Sequence, residues 1–207
     1  MKEKLTEIVF ILDRSGSMSN LTNDTIGGFN SFVETQKQED GEAVLTTVLF
    51  DDQYEVLHDG VDIKSVEKLT NKQYFARGMT ALLDAIGKTI NTVGERLSKT
   101  EENDKPSKVI FVITTDGQEN SSREFTQAKV KEMIELQTNQ YNWQFLFLGA
   151  NIDAVDTAQN FGIQGQFASN YTASSVGTDS LYSTLSKSVA SYRSVGEIDN
   201  SWKDEIK

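Results

Sequence analysis

Asp13, Ser15 and Ser17 occupy alternate positions of the segment Asp13-Arg14-Ser15-Gly16-Ser17. In a loop, alternate residues can point to one side, so one carboxylate and two hydroxyls can converge. All three donors are oxygen, and no imidazole or thiolate lies nearby. Hard cations such as Mg2+ prefer this ligand set and keep waters and open positions on it. Gly16 lets the loop turn tightly without a Cβ clash. Two further segments carry related chemistry. Thr114-Thr115-Asp116-Gly117 closes another apolar run with an acid, and Arg77-Gly78-Met79-Thr80-Ala81 stands just ahead of the strongest amphipathic pattern in the chain.

The elements that must position these residues can be read from hydrophobic patterning. Glu7–Asp13, Lys108–Asp116 and Trp143–Gly149 are continuous apolar runs, the pattern of strands covered on both faces in a parallel sheet. Ala43–Phe50 is a fourth apolar, β-branched run. Tyr54–Leu57 is a short fifth, joined to it by Asp51-Asp52-Gln53 as a hairpin to an antiparallel edge. A last strand is expected near Gln166–Ser169, after a short helix over Asp153–Phe161.

Apolar stripes at helical spacing fill the intervals: Ile26, Phe29, Phe32 and Val33; Leu82, Ile86, Ile90, Val93 and Leu97; Phe125, Ala128, Met133 and Ile134; Leu181, Leu185, Val189 and Tyr192. Strand–helix alternation of this kind predicts an α/β fold, a Rossmann-like three-layer sandwich. Its central sheet is mostly parallel, with one antiparallel edge strand and helices on both faces. In such sheets, ligands bind at the carboxyl ends of the strands, where Asp13 and Asp116 stand.

Composition narrows the function. A length of 207 residues predicts one domain, taken as residues 1–195, with a polar tail over 196–207 that frays unless Trp202 docks. The net charge of −11 would repel phosphate backbones, so no nucleic-acid partner is expected. No stretch approaches the roughly 20 apolar residues of a membrane span, and the Ile8–Leu12 run is too short for a signal peptide. The absence of cysteine excludes disulfides and thiolate sites. These features predict a cytoplasmic monomer with no membrane partner.

The Asp13-x-Ser15-x-Ser17 loop after a buried strand, the Gly78-x-Thr80 loop and the strand-terminal Thr115-Asp116-Gly117 together resemble the metal-ion-dependent adhesion site of von Willebrand factor A domains. The order of strands and helices also resembles that family, as a single-domain member of bacterial or phage type. The resemblance implies that the Ser15, Ser17 and Thr80 hydroxyls approach a metal ion, which Asp13 and Asp116 bind directly or through water. Mg2+ is the expected ion, with Mn2+ or Ca2+ as alternatives. It further implies a protein partner that presents an Asp or Glu carboxylate to the metal, and no catalytic activity.

Other readings of the residues stay open at this stage. A strand ending in aspartate is shared with metal-dependent phosphatases, but those need a second aspartate two positions on, where this chain has Ser15, and a lysine that finds no counterpart here. An adaptor acting through another surface is a further alternative. Arg14 is expected to face solvent or a partner, and His58 to lie on the surface of an edge strand. Asp84, Glu119 and Arg123 are expected to be supporting or ordinary surface charges. The acid run Glu101–Asp104 reads as a solvated loop.

Overall fold

The computed structural model describes residues 1–206, with the side chains of Lys2 and Glu3 left aside. Six strands form one sheet: β1 (Lys2–Asp13), β2 (Glu42–Phe50), β3 (Tyr54–Asp62), β4 (Pro106–Thr115), β5 (Gln144–Gly149) and β6 (Ala168–Asn170). Their spatial order is β3-β2-β1-β4-β5-β6, and every neighbouring pair is parallel except β2–β3. Five α-helices cover it: α1 (Thr22–Gln38), α2 (Leu82–Lys99), α3 (Gln127–Tyr141), α4 (Ala154–Asn160) and α5 (Ser175–Val195). The expected sandwich is the observed one.

The apolar runs divide cleanly by strand periodicity. On β1 and β4, Ile8, Phe10, Leu12, Ile110 and Val112 face a cluster built with Phe29, Phe32 and Val33 of α1 and Leu181, Leu185 and Val189 of α5. The alternate residues Val9, Ile11, Val109, Phe111 and Ile113 face a second cluster with Leu82, Ile86 and Val93 of α2 and Val130, Met133 and Ile134 of α3. Successive side chains of a strand point to opposite faces, so a strand buried on both must be apolar throughout.

Three expectations need correction. β1 begins at Lys2 rather than Glu7, because its polar start pairs through backbone against β2 and β4. β3 runs on to Asp62 instead of stopping at Leu57, with register shifts that bend it against β2. Phe125 lies outside α3, whose N-cap is Thr126. Its backbone N–H donates to Asp84 at 2.8 Å and its ring packs on Gly87, where a Cβ would lie 2.3 Å from Phe125 Cδ1. That tertiary bond outweighs the local helical periodicity.

The tail also packs against the body. Trp202 is buried among residues of the α1–α5 cluster, and its Nε1 donates to the Gln166 carbonyl at 2.8 Å. Lys203 Nζ donates to the carbonyls of Gly165 and Ala168, both at 3.1 Å. Ile198 and Ile206 add partly buried apolar contacts to the same cluster.

Two adjacent glycines of α1 test how tightly α5 is seated. A Cβ on Gly28 would stand 2.1 Å from Tyr182 Cδ2, whereas one on Gly27 meets nothing within 4 Å. Alanine favours a helix over glycine by about 1 kcal/mol. Gly27→Ala should therefore stabilise the protein by roughly 0.5–1 kcal/mol. Gly28→Ala should destabilise it by about 1–3 kcal/mol, because overpacking exceeds the propensity gain. Urea denaturation of both variants checks the opposite signs.

Candidate functional site

Three loops meet at the carboxyl edge of β1 and β4. Asp13, the last residue of β1, is 1 % exposed. Its Oδ1 accepts the Ser15 N–H at 2.7 Å, and its Oδ2 accepts the Thr115 hydroxyl at 2.6 Å. The Tyr74 hydroxyl donates to the Asp13 carbonyl at 2.5 Å, fixing the strand end from below. Ser15 Oγ lies 3.1 Å from Ser17 Oγ, which donates to Asp116 Oδ1 at 2.5 Å. A Cβ built on Gly117 would stand 3.6 Å from both Ser17 Oγ and Thr80 Oγ1, so this glycine backs the space between the two hydroxyls. The structure thus brings together all five residues singled out by sequence: Asp13, Ser15, Ser17, Thr80 and Asp116.

Each loop is held by the other two. Gly16 N–H donates to the Gly78 carbonyl at 3.2 Å, and Arg77 N–H to the Arg14 carbonyl at 2.8 Å. Gly78 has φ +65°, a conformation that glycine adopts without strain. Thr80 and Asn120 exchange two bonds: Thr80 N–H to Asn120 Oδ1 at 2.9 Å, and Asn120 N–H to the Thr80 carbonyl at 3.0 Å.

Asp84 and Glu119, expected to be supporting or surface charges, are loop anchors. The Asp84 carboxylate accepts the N–H groups of Arg123, Glu124 and Phe125, all within 2.9 Å. Glu119 accepts the Leu83 N–H at 2.8 Å while Ser122 Oγ accepts that of Asp84 at 3.0 Å. These bonds satisfy N–H groups that the first turn of α2 cannot pair internally. Arg123 contributes its backbone to this arrangement and is itself exposed.

The electrostatics favour a cation. Burial pushes the Asp13 carboxyl up to about 6, against hydrogen bonds from Thr115 and Ser15 that act downward. Burial likewise raises Asp116, against the Ser17 hydrogen bond. Among the described residues neither carboxylate has a basic partner. An ionised carboxylate without a counter-charge is costly to bury. Among the described residues no group of three or more His, Cys, Asp or Glu could ligate a metal, so hydroxyls must supply the remaining donors of this site. Two carboxylates and three hydroxyls form an all-oxygen set that can hold a hard divalent ion.

Arg14 overturns its expectation. It is fully buried, with Nε donating to Asp51 Oδ2 at 3.0 Å and Nη1 2.8 Å from Glu55. An arginine between Asp13 and Ser15 at the start of a loop reads as a surface residue, but the carboxylate that draws it inward comes from the distant end of β2. His58 does lie on edge strand β3, yet it is half-buried, and burial holds its pKa below the ordinary value. Sequence reasoning passed over Asp51, Asn120 and Tyr74. For Asp51 a signal existed: like Asp13 and Asp116, it is an acid that closes an apolar run.

No family profile and no curated protein sequence matches the chain. Solved structures do. Proximal thread matrix protein 1 from the mussel byssus, with a zinc-occupied adhesion-site motif, superposes with a TM-score of 0.62 at 16% identity, covering 92% of this chain and 47% of that one. Manganese-loaded TRAP protein of Plasmodium vivax gives 0.61 at 18% identity, covering 84% and 70%. The von Willebrand factor domain of the pilus tip protein Mfa5 from Porphyromonas gingivalis gives 0.63 at 10% identity, covering 94% and 98%. The chain therefore spans about half the length of the mussel protein and nearly all of the pilus domain. What these likenesses share is the architecture, and the chain has the fold of a von Willebrand factor A domain.

Proposed function

We propose that the protein is a divalent-metal-dependent protein-binding domain. Asp13, Ser15, Ser17, Thr80 and Asp116 would surround one cation, with Mg2+ the favoured ion and an open position left for a partner's Asp or Glu. The observation that carries this reading is the convergence at one strand edge of three hydroxyls and two buried carboxylates that have no basic partner among the described residues. The likeness to structures containing zinc and manganese supports it. A bound cation supplies Lewis acidity and positive charge. The chain's own residues do the rest: Ser15 N–H and Thr115 orient the Asp13 carboxylate, Ser17 orients Asp116, and Asn120 sets the height of Thr80. With only two formal negative charges in the ring and neutral hydroxyls for the rest, the cation would stay electron-poor enough to accept a partner's carboxylate at the open position.

A metal that binds only the assembled loops stabilises them by mass action. Mg2+ at about 100 times its Kd should add about 2.7 kcal/mol, which raises Tm by roughly 5–10 °C for a chain of this size. Asp13→Ala should abolish the shift, and equal shifts in both proteins would refute the site. A partner recovered by pull-down in Mg2+ and lost in EDTA should bind Thr80→Ala at least 5-fold more weakly, in keeping with coupling free energies of ~1–3 kcal/mol. If titration calorimetry shows an affinity indifferent to both Mg2+ and Thr80→Ala, binding runs through another surface.

The Asp13 pKa gives the sign of the pH dependence. A folded value of about 6, above the ordinary 3.8, means that ionising Asp13 costs the metal-free protein stability. This cost is absent below pH ~4, grows as pH rises to ~6 and then levels at about 3 kcal/mol. The stability difference between metal-free Asp13→Asn and wild type should therefore widen in favour of the variant between pH 4 and 7. Mg2+ affinity should fall as pH drops through 6, since protons compete for the same carboxylate. A flat stability difference in urea titrations across this range would show that Asp13 is not desolvated as described.

A further inference from the structure

We propose that Asp51, which belongs to no loop of the candidate metal site, is the positioning residue that sets Thr80 at its distance from Asp13, Ser15 and Ser17; this rests on the metal-binding reading. Asp51 is fully buried at the end of β2. Its Oδ2 accepts from Arg14 Nε at 3.0 Å and from Arg77 Nε at 2.7 Å. Arg14 lies inside the Asp13–Ser17 loop, and Arg77 opens the segment leading to Thr80. One carboxylate oxygen therefore joins the two metal-site loops.

The backbone of Asp51 joins the same assembly. Its carbonyl accepts the Ala81 N–H, next to Thr80, at 2.9 Å, and its Oδ1 accepts the Gln53 N–H at 2.6 Å. Both guanidiniums also lie over the Phe75 ring, at 5.7 and 5.2 Å from its centroid, which limits their rotation. A buried ion pair is a weak source of net stability, because desolvation offsets attraction, and its better-supported use is to fix a register. Here the register fixed is that of a hydroxyl against a carboxylate and two serines, where errors of a fraction of an ångström matter to a metal.

The test uses the metal alone, with Mn2+ titrated by calorimetry into the full chain. Arg77→Met leaves Asp51 paired with Arg14, so no charge is stranded, and its Tm in EDTA should stay within about 3 °C of wild type. Its Mn2+ affinity should nevertheless fall about 10-fold, the size usual for residues that orient metal ligands. Asp51→Asn should weaken binding at least as much wherever circular dichroism shows it folded.

A double-mutant cycle separates positioning from general loosening. If Arg77 acts through Thr80, adding Arg77→Met to Thr80→Ala should cost less than 2-fold further. Mn2+ binding by Arg77→Met within 2-fold of wild type, or an undiminished penalty in the Thr80→Ala background, overturns the inference. In that case loss of binding in Asp13→Ala still upholds the metal reading. Absence of saturable Mn2+ binding by the wild type itself ends both.

Discussion

An ionisable carboxylate buried at the end of the central strand, held by hydrogen bonds and facing a second carboxylate, Asp116, is the constraint to which the surrounding loops answer. Asp13 cannot be moved outward, because Ile8 to Leu12 before it are sealed between two helical layers. It receives one backbone N–H and one hydroxyl and, among the described residues, no guanidinium or ammonium. Asp116 is treated the same way by Ser17. Asp51 shows the opposite solution to the same problem. Burial raises its pKa as well, but the Arg77 hydrogen bond, the Gln53 N–H and the charges of Arg14 and Arg77 outweigh it, and the net shift is downward. Two strand-end acids are left in want of positive charge, while a third is neutralised beside them. Selective neutralisation of this kind is what the proposed cation site rests on.

The loops are joined by polar bonds, whereas the body is joined by apolar packing. That division separates stability from function. The sheet and its two clusters supply the hydrophobic burial that drives folding, and they do so with no contribution from the site residues. The loops exchange hydrogen bonds among Asn120, Thr80, Glu119, Ser122 and Asp84, none of which adds much apolar area. Their contribution is geometric: they hold the oxygen-bearing side chains of Asp13, Ser15, Ser17, Thr80 and Asp116, from three chain segments, in one place. Such preorganisation lowers what binding must spend on ordering the site.

On the opposite face, α5 is seated against α1 by close approach as much as by apolar area. Gly28 accommodates the Tyr182 ring, and Arg193 reaches from the end of α5 to the carbonyls of Gln36 and Gly41 past the end of α1, at 2.6 and 3.1 Å. The tail then runs back beside the helix, where Ser180 Oγ donates to the Glu205 carbonyl at 2.6 Å and Trp202 bonds the chain ahead of β6. The last helix is thereby tied to both α1 and the β6 edge, through contacts between segments more than 20 residues apart in most cases.

Much of this was legible in the residues alone. Strands buried on both faces must be apolar throughout, so β1, β4 and β5 announced themselves, and the stripe from Leu82 to Leu97 could only be one face of a helix. With the strands placed, the edge at which Asp13, Ser15, Ser17 and Asp116 gather followed from parallel topology, and Thr80 from a family resemblance. The sequence could not show where the arginine between Asp13 and Ser15 would go. Arg14 turns inward only because Asp51, 37 positions away, is buried within reach of it. Phe125 leaves its helix because Asp84 captures its N–H, and Trp202 is buried because the β6 edge offers a carbonyl and an apolar seat. Local patterning determines which face of an element is covered, since that depends on periodicity within a few residues. The partner of a buried polar group is decided by the tertiary structure, since hydrogen bonds and ion pairs form only between groups that folding has already brought within about 3 Å.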